Sequence, residues 1–213
     1  NHLVKLLAGN SPFTVQRDYF LWMGAASALL CWLLVYLNVF VSSWTTQSEN
    51  LVMQLLLYTP LFAMLAPAVL ITRAALGSSG SLLKFLSHGI PLPAPGKETL
   101  VFVLLPLATL GLAGGAAWPE KLFWLFWIAP LLSLAGLQLL WNESTIFSGL
   151  KSGDWGRLIC AALAGVIVGN LVVATYRYNG GIVATALPDP FKQLGYIAFG
   201  LLCLQLGDVI AGN

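Results

Sequence analysis

Residues 92–118 read LPAPGKETLVFVLLPLATLGLAGGAAW, a proline-lysine entrance followed by an uncharged apolar run from Thr99 to Trp118. A run of about 20 such residues crosses the hydrocarbon core of a bilayer as an α-helix. The entrance returns later in the chain. Leu92-Pro93-Ala94-Pro95-Gly96-Lys97 matches Leu187-Pro188-Asp189-Pro190-Phe191-Lys192, again directly before an apolar stretch. Further pairs keep a nearly constant spacing: Trp22 and Trp127 by 105 positions, and Asn38/Asn142, Arg73/Arg177 and Gly77/Gly181 by 104. At the entrance the spacing falls to 95, as though the second copy lost part of a loop. Self-similarity of this kind bears on the whole architecture.

Composition points the same way as the apolar run. The 213 residues are 58% hydrophobic and only 8% charged, with a mean hydropathy of +0.84. Soluble domains carry roughly a quarter charged residues, because they must cover their surface with them. The expectation is therefore an all-α integral membrane protein forming one multi-pass transmembrane domain over residues 1–213, with the lipid bilayer as its first partner. A formal net charge of +2 gives no footing for nucleic acid.

Six spans are expected, at about Tyr19–Val41, Leu51–Thr72, Thr99–Trp118, Leu122–Trp141, Leu158–Tyr176 and Gln193–Ile210. Each must be helical, since hydrocarbon offers no partner to a free backbone amide and the runs lack the alternation of a barrel. Pro60, Pro67, Pro106 and Pro130 fall inside spans, and the first two predict a kink in the second helix. Trp44, Trp118, Trp141, Trp155 and Tyr176 sit at span ends, where amphipathic rings favour the headgroup zone.

With the N-terminus inside, Lys5, Arg17, Arg73, Lys84, Lys97, Lys151 and Arg157 fall on the inner side, against Lys121, Arg177 and Lys192 outside. This bias favours both termini on the same cytoplasmic or stroma-like side. The longest connection, from Arg73 to Glu98, contains Leu82-Leu83-Lys84-Phe85-Leu86. That segment reads either as a short interfacial helix or as a solvated loop with one apolar anchor.

If residues 19–118 and 122–210 are copies of three spans each, the second enters the membrane upside down. An inverted 3+3 repeat follows, a plan shared by many secondary transporters. Inversion places the matched Arg73 and Arg177 on opposite faces. The repeat anchors are then Pro93, Pro95, Lys97, Pro188, Pro190, Lys192, Arg73 and Arg177. Gly111/Gly115 and Gly165/Gly169 form G-x-x-x-G pairs that let helices approach closely, within the chain or against another subunit.

The search for chemistry returns little. Polar residues within spans are Ser27, Asn38, Gln54, Thr59, Gln138, Asn170, Gln205 and Asp208. Asn38, Asn142, Asn170 and Asp208 are the candidates for a polar path or for helix-helix contacts; Asp208 lies about one turn from the chain end, at interfacial depth. Glu143, Asp154 and Arg157 read as a solvated cap, with Asp154 at the start of the fifth helix, where a carboxylate complements the helix dipole. The sequon Asn142-Glu143-Ser144 falls at an inner membrane edge and is discounted.

Cys31, Cys160 and Cys203 fall in apolar runs without zinc or redox spacing and read as buried small side chains. His2 and His88 lie outside the spans, so a bis-histidine haem site has no axial ligands there. Pigments and lipids are not excluded, and no metal site is expected. Neither H-E-x-x-H nor G-x-S-x-G occurs, and no carboxylates pair at helical spacing, so an enzyme is disfavoured. Two functions remain: a non-catalytic multi-pass subunit or assembly factor packed against other membrane subunits, or, as the alternative, a permease or channel for a small solute.

Overall fold

A computed structural model describes residues 16–46, 50–80, 86–93 and 95–212. Residues 82–85 of the expected interfacial segment, and His2 and Lys5, lie outside them. Among the described residues there are six long helices: α1 Arg17–Val41, α2 Leu51–Gly77, α3 Lys97–Ala117, α4 Pro119–Leu140, α5 Gly156–Tyr178 and α6 Asp189–Ala211. All six are long and apolar enough to cross a membrane. Two three-residue strands, β1 Trp44–Thr46 and β2 Val183–Thr185, join the connections α1–α2 and α5–α6. They pair antiparallel, with Trp44 opposite Thr185 and Thr46 opposite Val183.

The helices extend past the expected spans because their ends are polar. Gly96 caps α3, so Lys97 and Glu98 form its first turn, and Pro119 supplies the first turn of α4. Proline is at ease there, since its missing N–H had no helical partner to lose. Pro188 caps α6 and Pro190 sits in its first turn, whereas Pro93 and Pro95 precede the cap of α3. Chain direction defines two ends of the bundle. At the proximal end α1, α3 and α5 begin; at the distal end they finish.

Packing runs mainly through the sequential hairpins α1–α2, α3–α4 and α5–α6, with α2 against α5 and α4 against α6 joining them. One core gathers Met23, Ala66, Val69, Ala164, Val168 and Cys203 from α1, α2, α5 and α6. A second gathers Leu131, Ile146, Leu158, Ala161, Leu202 and Leu204. Residues of α5 and α6 enter both.

Small residues set how close the hairpins come. A side chain at Gly165 would meet the backbone of Gly200 and Tyr196 on α6, and one at Gly169 would enter the Tyr196 ring. Gly111 and Gly115 of α3 lie likewise against Leu125, Ala129 and Phe126 of α4. Both G-x-x-x-G pairs therefore serve packing within this chain.

Proline in α2 is accommodated by α1. Pro67 cannot donate to the Ala63 carbonyl, and Gly24 lies against that oxygen. One step earlier, Ser27 Oγ inserts into the ladder: it donates to Phe62 O at 2.5 Å and accepts from Ala66 N at 3.0 Å. Insertion of a side chain into the i→i−4 ladder is a recognised cause of bending. Trp32 Nε1 donates to Thr59 Oγ1 at 2.9 Å near Pro60. These bonds join α1 to α2 at bilayer depth.

The α5–α6 contact gives a clean test. Gly165→Leu is expected to cost about 1–3 kcal/mol, the usual range for overpacking, measured by reversible unfolding in mixed micelles. Gly195→Leu on α6, where a side chain meets nothing within 4 Å, should cost far less. Equal losses would contradict the packing described.

Candidate functional site

Each polar candidate has a partner within the chain. Asn38, in the last turn of α1, holds Trp44 by both backbone groups: its Nδ2 donates to Trp44 O at 2.7 Å and its Oδ1 accepts from Trp44 N at 3.3 Å. The amide thereby fastens the turn leading to β1, where Ser42 adopts a left-handed φ of 48°. Asn142 follows α4 with a φ of 64° and accepts a hydrogen bond from Lys97 Nζ. Lys97 thus ties the start of α3 to the end of α4. Its sequence counterpart Lys192 does something different and pairs with Asp189 inside its own helix.

Asn170 and Gln193 form a reciprocal amide pair between α5 and α6, at 2.9 and 3.1 Å, while Asn170 Nδ2 also donates to Val166 O. Asp208 accepts from Arg157 Nη2 through both carboxylate oxygens at 2.7 and 2.8 Å. The expected cap of Glu143, Asp154 and Arg157 is replaced by a different arrangement. Arg157 turns to α6, while Asp154 Oδ1 accepts from Gly156 N at 2.9 Å and serves the start of α5. Arg177 Nη2 donates to Val183 O at 3.3 Å at the distal end; Arg73 lies one turn from the end of α2, toward the proximal end.

The most deeply buried amides are Gln138 of α4 and Gln205 of α6, both fully inaccessible. Gln205 Nε2 donates to Gln138 Oε1 at 2.8 Å, and Gln138 Nε2 reaches Ser144 O at 3.4 Å. Among the described residues Gln205 Oε1 has no hydrogen-bond partner. In sequence both were only polar residues within spans; their pairing across 67 positions had no local signal.

Two openings lie on the flank of the bundle. At the proximal end a cleft of about 740 Å³ is lined by Arg17, Tyr19, Arg73 and Asp208 beside apolar Leu70 and Ile210. Tyr19 Oη donates to Gly207 O at 3.2 Å, and a side chain at Gly207 would strike that hydroxyl. A groove of about 430 Å³ adjoins it, lined by Trp22, Ala25, Ala26, Leu29 and Ile210. Trp22 and Ile210 line both openings, so the two adjoin. Neither is lined by Asn38, Asn142 or Asn170.

Among the described residues no three His, Cys, Asp or Glu side chains gather in a way that could hold a metal ion. Cys31, Cys160 and Cys203 are buried and free. Compared with protein-family models, with characterised proteins and with solved structures, the chain matches none. The six apolar helices define its class: a multi-pass, all-α integral membrane protein.

The amide pair predicts an asymmetry between single and double variants. Gln205→Leu alone leaves Gln138 Oε1 buried without its donor, a loss of about 1–3 kcal/mol. Gln138→Leu combined with Gln205→Leu removes both groups and should recover most of that loss. Additive losses in micellar unfolding would contradict the pairing.

Proposed function

We propose that this chain is a non-catalytic multi-pass subunit or assembly factor of a larger membrane complex. The observation that carries the reading is the use of the intramembrane amides. Asn170 is spent on Gln193, Gln138 on Gln205, Ser27 on the α2 backbone, and Asn38 on its own turn. A permeation path needs polar groups turned toward a shared channel. These groups are turned toward neighbouring helices and turns, as in a bundle whose work is packing.

A second reading, a small-solute permease built from inverted halves, draws on one specific observation. At the distal end the α1–α2 connection pairs with the α5–α6 connection through β1 and β2. At the proximal end the two remaining long connections also meet through backbone hydrogen bonds, without forming strands. Trp155 N donates to Leu86 O at 3.1 Å, Gly89 N to Gly153 O at 3.0 Å, and Leu92 N to Leu150 O at 2.9 Å. Gly153, at φ 79°, lies so close to Gly89 O that no side chain fits there. A two-fold exchange of α1–α3 with α4–α6 would interchange these two junctions. The helix partners are less symmetric, because α1 packs closely on α2 whereas α4 and α5 share little. That imbalance ranks the repeat, and transport with it, second.

In either reading the excess of Lys and Arg favours the proximal end, with both termini, on the cytoplasmic or stroma-like side. Extraction in a mild detergent such as digitonin, followed by native electrophoresis, tests the first reading. Co-migration with other membrane chains is expected. A lone monomer that conducts solute flux in proteoliposomes would overturn it in favour of the second.

A further inference from the structure

The proximal cleft and the groove beside it differ in chemistry. The cleft presents Arg17 and Arg73, while the groove presents Trp22, Ala25, Ala26 and Leu29 between α1 and α6. We infer that this flank binds one anionic phospholipid, its phosphate on Arg73 and an acyl chain along the groove.

Arg73 carries the argument. Its guanidinium is partly buried and, among the described residues, has neither a hydrogen bond nor an ion pair. The carboxylate it shares the cleft with, Asp208, is already held by two hydrogen bonds from Arg157. Asp18 also lines the cleft, next to Arg17, so among the described residues the two arginines of the cleft and Arg157, which holds Asp208, stand against two carboxylates. A planar guanidinium offers forked donors that match two phosphate oxygens. Basic pockets between membrane helices at the bilayer edge suit anionic headgroups.

Depth distinguishes a lipid from a free anion. Arg73 lies one turn from the end of α2, where a headgroup phosphate sits. From there the apolar groove continues along α1, past Ala25 to Leu29, away from the proximal end and toward the bilayer interior. A soluble anion would use Arg73 and leave the groove idle. A phospholipid uses both.

The test is native mass spectrometry of the full chain in detergent, titrated with dioleoyl phosphatidylglycerol, dioleoyl phosphatidylcholine or inorganic phosphate. Wild-type protein should retain one phosphatidylglycerol at concentrations where phosphatidylcholine is not retained. Arg73→Gln should weaken retention about tenfold or more, with Arg73→Lys in between. Ala25→Trp, which fills the exposed groove, should weaken it comparably while leaving Arg73 in place. Unchanged retention in Ala25→Trp, or equal retention of the two lipids by wild type, overturns the proposal. So does inorganic phosphate that displaces phosphatidylglycerol at equal concentration. If Arg73→Gln fails to fold, Arg73→Lys and Ala25→Trp separate the same two outcomes.

Discussion

Within hydrocarbon a peptide group has no water to fall back on, so each must find its partner in the protein. Everything in this bundle follows from how that demand is met where the α-helix alone cannot meet it. Pro67 removes a donor from α2 and leaves the Ala63 carbonyl facing Gly24 of α1, while the Ser27 hydroxyl of α1 bridges the adjacent Ala66 N–H and Phe62 O. The pairing of the first two helices is thus set by a side chain bonded into the α2 backbone as well as by apolar packing. Outside the spans, the connections also bond to one another in pairs at both ends.

The second constraint is that lipid tails are as apolar as the side chains they touch, so burial alone gives helices little reason to associate. Close approach and internal hydrogen bonds must supply it. Gly165 against Gly200, the Asn170–Gln193 amide pair and the Gln138–Gln205 pair all hold α6 in place. α6 also enters both apolar cores. Together with the α2–α5 contact, it joins the three hairpins.

The spans were legible in the sequence because six apolar runs of bilayer length, with Asp208 the one charge among them, leave too few residues to make a soluble surface. Their ends were less so: Lys97, Pro119 and Asp189 begin helices, yet a reading by hydropathy stops short of polar residues. β1 and β2 escaped notice, since three residues carry no periodicity and the partners lie far apart in the chain. Asn38 and Asn142 looked equivalent by spacing, but one fastens a turn and the other receives a lysine. Asp154 and Arg157 looked like neighbours in one cap, yet Arg157 turns to a carboxylate 51 positions away. Hydropathy reports which residues enter the membrane and is silent on which helix each faces.

The central claim is a dry bundle, in which polar groups at bilayer depth serve packing. The native cysteines report on it without substitution: Cys31, Cys160 and Cys203 lie on α1, α5 and α6, at most 5% exposed. Sealed vesicles treated from both sides with a membrane-impermeant thiol reagent should leave all three unmodified under native conditions. Rapid modification of Cys31 or Cys203 would reveal water at the heart of the bundle and contradict the account.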